Sequence, residues 1–183
     1  MKPQRGVVKD GIYRNEFFKI AFPVMEEGIL DDRTNYDQLK NGGMPVTEVG
    51  SELADGILTY EEMEKVFMGR NRDFAMYNAE YNISIVVQFD NMKIVHGCNK
   101  TVDEYIEGLK NQNERANPQV ETSVESIWLG WSEYKRLTVL LGGAHYNYYL
   151  RQQDEYMICV AYASHENNYN YTGRDEFEIS VFE

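Results

Sequence analysis

The sequence predicts an α+β fold, an antiparallel sheet with helices on both faces. Strand-like runs come in blocks rather than in alternation with helices, the order of an antiparallel chain and not of a parallel α/β one. The last clear run, Tyr156 to Ala163, is apolar on both sides, so it belongs at the centre of a covered sheet. Tyrosine is abundant: 14 Tyr with 8 Phe and 2 Trp make 13% of the chain aromatic. Such rings suit pleated surfaces.

Residues 1–10 read as a flexible N-terminal segment of a single domain spanning 1–183. Residues 11–23 predict two short strands closed at Pro23. Ile12 and Arg14 alternate with Tyr13, and Phe18, Ile20 and Phe22 share a face opposite Lys19 and Ala21. Asp32 to Lys40 suits a short helix stopped by Asn41-Gly42-Gly43. Tyr60 to Met68 suits a second, with Thr59 as N-cap, Met63, Val66 and Phe67 on one side, and Gly69 as the stop.

Phe74 to Tyr77 predicts a short strand and Asn82 to Phe89 a clearer one, its Ile83, Ile85, Val87 and Phe89 alternating with Ser84, Val86 and Gln88. Thr101 and Glu104 form a capping box, Thr at N-cap and Glu at N3. Val102, Tyr105, Ile106 and Leu109 mark the apolar stripe of that helix, which Asn117-Pro118 ends. Four strands follow over Val120 to Leu129, Tyr134 to Leu141, Ala144 to Arg151 and Tyr156 to Ala163, with Gly142-Gly143 as a tight hairpin. The tail, Asp175 to Phe182, alternates like a strand but opens with acidic residues, and is read as a closing helix.

The charge excludes one class of function. With 18 basic and 30 acidic residues the net charge is −12, and the densest basic stretch, Arg70 to Arg72, is two arginines beside Asp73. Nucleic-acid binding needs a basic stripe, so no nucleic-acid partner is expected. The acidity serves solubility, and it leaves room for a basic protein partner. No apolar run approaches the roughly 18–20 residues of a membrane-spanning helix. The opening Met1-Lys2-Pro3-Gln4-Arg5-Gly6 has no apolar stretch behind it, so the chain is expected to be cytoplasmic or to follow a removed leader.

Catalytic apparatus is not visible. His96, His145 and His165 are far apart, and His96 with Cys98 is the nearest thing to a ligand pair; no metal and no cofactor are expected. Cys98 and Cys159 are too few for a disulfide scaffold, and Cys159 reads as a small buried hydrophobe. Ser132 lacks the second glycine of a nucleophile elbow. Gly142-Gly143 lacks the lysine and hydroxyl of a phosphate loop. The acidic pairs, such as Asp31-Asp32 and Asp154-Glu155, sit at element ends and match no calcium loop. The strongest functional signal is the aromatic cluster Trp128, Trp131, Tyr134, Tyr146, Tyr148 and Tyr149. From it Trp128, Trp131, Tyr134 and Tyr148 are taken as candidate binding residues, the tryptophans flanking Gly130 at a turn.

The opening from Gly11-Ile12-Tyr13-Arg14-Asn15 to Phe17-Phe18-Lys19-Ile20-Ala21-Phe22-Pro23 is similar to that of many small bacterial lipoproteins. The capped Thr101-Val102-Asp103-Glu104-Tyr105 helix and the strand ending in Leu140-Leu141-Gly142-Gly143 resemble theirs too. Such proteins resemble the PsbP-like fold, an α/β/α sandwich shared with a photosystem II extrinsic subunit and a Ran-binding nuclear-import factor. The resemblance implies a secreted, lipid-anchored protein that touches the membrane only through that anchor, and a role in binding rather than catalysis. Three functions are therefore weighed. The first is a non-enzymatic extracytoplasmic binding or accessory module for an unknown protein or small ligand. The second is a hydrolase or metal-dependent enzyme assembled from dispersed His and Asp/Glu. The third is a cytoplasmic acidic immunity-type protein that binds a basic partner.

Overall fold

The structure, a computed structural model, describes residues 3–25, 28–29, 70–80, 82–97 and 100–165. Three short strands come first: β1 (Val7–Lys9), β2 (Ile12–Asn15) and β3 (Ile20–Pro23). They form one antiparallel sheet in the order β1-β2-β3. The second sheet has six strands: β4 (Arg70–Asn78), β5 (Ile83–Asn91), β6 (Glu121–Leu129), β7 (Ser132–Leu141), β8 (Ala144–Gln153) and β9 (Tyr156–His165). Their order is β4-β5-β9-β8-β7-β6, and every pairing is antiparallel. Between β5 and β6 lie a short helix, α1 (Met92–His96), and a long one, α2 (Val102–Ala116).

Strand β9 is central, between β5 and β8, as its two apolar faces require. Tyr156, Ile158, Val160 and Tyr162 join Ile83, Ile85, Val87 and Phe89 of β5 in a core against the small sheet, which contributes Tyr13, Phe18, Ile20 and Phe22. Met157 and Cys159 face the other way, with Leu137, Val139 and Leu150, onto Ile106 and the stripe Val102, Tyr105 and Leu109 of α2. The large sheet is thus covered by a helix on one face and by a second sheet on the other. Helices on both faces were expected; among the described residues only one face has them. The helices read over 32–40, 60–68 and 175–182 lie outside the described residues, as does Cys98.

Local chemistry sets the boundaries. The capping box of α2 is present: the Glu104 amide donates to Thr101 Oγ1 at 3.2 Å, and Glu104 Oε2 accepts from the Thr101 amide at 2.8 Å. The Thr101 amide, and then the Thr101 hydroxyl that donates to the same oxygen at 3.1 Å, hold the Glu104 carboxyl below its ordinary range. Gly142 and Gly143 both take positive φ, 57° and 81°, in the β7–β8 hairpin. Residues 7–9, inside the segment read as a flexible terminus, pair with β2 across a turn in which Asp10 and Gly11 have φ of 51° and 71°.

The N-terminal segment is tied down by Asp73. A register shift between Arg72 and Phe74 marks a bulge that turns this residue inward, where its side chain is fully enclosed. Its carboxylate accepts from the Gly6 amide at 3.1 and 3.0 Å, from Asn15 Nδ2 at 3.0 Å and from the Tyr13 hydroxyl. Arg5 Nε lies 3.9 Å away. Burial first, and then the adjacent Asp73 charge, push the Tyr13 phenol well above its usual range. Position 6 must be glycine, because a Cβ there would fall on the Tyr13 ring.

A candidate binding surface at the edge of the large sheet

Strands β6 and β7 are joined by the two-residue turn Gly130-Trp131, in which Gly130 takes φ 56°. A turn that tight projects its second side chain outward, and Trp131 is 94% exposed. Three residues earlier Trp128 is 70% exposed, although it belongs to a strand, because β6 is the last strand of the sheet among the described residues. Helix α2 does not reach it. Lys135 of β7 meets Asp103 in the first turn of α2 at 3.3 Å, and Thr122 meets Glu114 near its end at 2.7 Å. Trp128, opposite Glu133, lies further toward the hairpin tip than Lys135. Val124, on the same side of the strand as Trp128, is 43% exposed. A run of exposed apolar side chains at one edge is the kind of surface that a partner covers.

The other aromatic residues of the sequence cluster are placed differently. Tyr134 lies on the opposite face and is buried, with the Arg151 guanidinium 5.3 Å from its ring centre. Burial raises its phenol pKa, and the Arg151 charge works against the rise. Tyr149 is likewise buried. Tyr146 and Tyr148 are half-buried in the layer between sheet and α2. Burial, followed by the neighbouring Cys159 and Tyr146 groups, raises the Tyr148 phenol. The structure therefore brings Trp128 and Trp131 together at one hairpin and sets Tyr134 and Tyr148 inside the layers that support it. Val124 was missed in the sequence. The signal was there: β6 carries no lysine or proline, which commonly protect an edge strand.

The backbone sets the three histidines on different elements. His96 ends α1, whose Met92 amide bonds the Glu155 carbonyl just before β9 begins. His165 ends β9, and His145 pairs with Ser164 beside it. Strand β9 runs on the order of 30 Å from the end that α1 adjoins to the end that carries His145 and His165, at a rise of about 3.3 Å per residue. Among the described residues no group of three or more His, Cys, Asp or Glu is arranged to hold a metal ion. No described helix is long and apolar enough to cross a membrane.

Cys159 carries a free thiol on the helix-facing side of β9. Burial, and then the negative charge of Asp90, push that thiol from 9.0 up to about 12. At neutral pH it should hold less thiolate than an ordinary cysteine. Alkylation of the Cys159 peptide, followed by mass spectrometry, is expected to be slower in the native protein than in urea. Equal rates would show an open thiol. The sign of the linkage also follows. A thiol that keeps its proton more tightly when folded stabilises the fold fully below about pH 9, and that contribution is lost as pH rises toward 12.

No family model matches the chain, and no curated protein matches it. Among solved structures it is similar to the solution structure of cyanobacterial PsbP (CyanoP) from Synechocystis sp. PCC 6803. The TM-score is 0.51 at 12% identity, with 96% of this chain and 94% of that chain covered. A likeness at that identity concerns the fold, which is PsbP-like; it transfers no residue and no partner.

Proposed function

We propose that the protein is a non-enzymatic accessory module that works outside the cytoplasm and engages a partner with the β6–β7 hairpin. The observation that carries this reading is the exposure of Trp128 and Trp131, 70% and 94%, on a rigid two-strand support. Tryptophan is enriched at interface hot spots, and leaving two of them in water has no stabilising effect on the fold. Tyr134 and Tyr148 hold the strands beneath rather than touching the partner. The likeness to CyanoP supports an accessory role through fold, and attachment by a lipid anchor belongs to the same proposal.

The test is photocrosslinking in cells that carry the protein. A photoreactive phenylalanine at position 131 or 128 is expected to give a discrete adduct, and one at Glu107, on the exposed side of α2, none. Surface labelling of intact cells with a membrane-impermeant reagent should reach the protein. Adducts equal at all three positions would end the hairpin reading, and protection from the surface reagent would place the protein inside the cell.

A further inference from the structure

We propose that β6 is a docking edge for an extended, cationic segment of a partner protein, which adds to the large sheet as one more strand. The proposal rests on the binding reading above and names its partner class. The strand order ends at β6, and the pairing fixes which backbone groups look outward. Leu129 and Ser132 close the two-residue turn as a hydrogen-bonded pair, and hydrogen-bonded pairs alternate from there along the ladder. Ile127, Glu125, Ser123 and Glu121 thus turn their backbone groups to β7. Thr122, Val124, Ser126 and Trp128 turn theirs away, to a side where no described strand lies. The same residues carry the exposed Val124 and Trp128 side chains. Main-chain bonds for affinity and alternate side chains for contact are the two requirements of strand addition.

The two edges of the sheet are built differently. At β4 the chain has a bulge at Arg72/Phe74, an inward carboxylate at Asp73 and a bridge from Ile29 to Met76, all of which blunt an edge. Strand β6 pairs with β7 without a register shift over its whole length of nine residues, and it has neither proline nor lysine.

Charge selects the occupant. Glu121 and Glu125 stand on one side of β6, and Glu133 lies opposite Trp128. Among the described residues only Glu125 of these has an ion-pair partner, Arg136. A second copy of the chain would lay two such acidic strands side by side, and each copy carries a net charge of −12. Like charges directly across a ladder are destabilising, whereas lysine or arginine at alternate positions would match.

The experiment uses the full chain and a defined probe, a blocked octapeptide of alternating lysine and valine. Amide hydrogen exchange at Val124, Ser126 and Trp128 is expected to slow on the order of tenfold at saturating peptide, and binding should weaken as salt is raised. A backbone N-methylated peptide of the same sequence should give no protection. Ser126→Pro removes one outward N–H at an edge position where proline is tolerated, and should abolish the protection. Val124→Lys keeps every N–H but repels the probe, and should do the same if the proline variant folds poorly. Unchanged exchange at saturation overturns the proposal. So does equal binding of the methylated peptide, or a dimer of the free protein that slows the same amides. Quenching of tryptophan fluorescence without amide protection removes the docking edge and leaves the aromatic surface standing. Protection without crosslinks from positions 128 and 131 does the opposite.

Discussion

Replacing Asp73 by alanine is expected to lower the stability of the fold by about 3–5 kcal/mol, the range for breaking a buried charged partnership. The carboxylate is the common acceptor for the Gly6 amide, the Asn15 amide and the Tyr13 hydroxyl, and all three are left inside the protein without it. Stranded donors cost their full desolvation, which is why the loss exceeds that of one ordinary hydrogen bond. Asn15 extends the effect, because its Oδ1 accepts from the amides of Phe17 and Phe18 at 3.1 Å each and its Nδ2 also holds the Gln4 carbonyl. Chemical denaturation of the variant measures the loss, and exchange at Val8 and Tyr13 should show the small sheet loosening first. A change under about 1 kcal/mol, the size of a surface substitution, would mean that Asp73 does not hold the N-terminal strands.

Phe18→Ala should cost a similar amount, about 3–5 kcal/mol. Phe18 has no exposed surface and joins the two sheets from the connection between β2 and β3. Its ring stacks on Phe89 with centroids 3.8 Å apart and meets Phe17 and Tyr156 edge to face at 4.7 and 5.9 Å. The polar side of the same connection is fixed independently. Arg151 donates to the Phe18 carbonyl at 2.5 Å, and Gln153 Nε2 to the Phe17 carbonyl at 3.0 Å. Those bonds hold the backbone in place when the ring is removed, so the cavity cannot collapse fully and the cost stays near the upper part of the range. The denaturation midpoint should fall with an unchanged slope. A loss below about 1.5 kcal/mol would mean that the sheets are not packed through this ring.

Much of the large sheet was legible because its signals are local. The alternation of Ile83, Ile85, Val87 and Phe89, the pair Gly142-Gly143 and the capping box at Thr101 each specify geometry within a few residues. The central place of β9 was legible too, since both of its faces are apolar. What covers those faces was not. A two-sided apolar strand requires a cover but does not say whether it is helix or sheet, and one face received β1, β2 and β3. Strand β1 escaped because three residues make no countable period, although Asp10-Gly11 is a strong turn signal. Strand β4 was read as four residues because the bulge at Asp73 interrupts the alternation. In the aromatic cluster, rings at neighbouring positions belong to opposite faces of the sheet. Composition alone could not separate Trp128 from Tyr134, whereas the pairing register does.

In the proposed function the indole rings stand in water until a partner covers them, and the chain has only 2 Trp, both on this hairpin. Native fluorescence reports on them directly. Emission from the folded protein should match that of free tryptophan in water, hardly move on unfolding, and be quenched by acrylamide almost as efficiently before denaturation as after. A blue-shifted native spectrum that resists the quencher would show the rings already packed, and the hairpin would then have nothing to offer a partner.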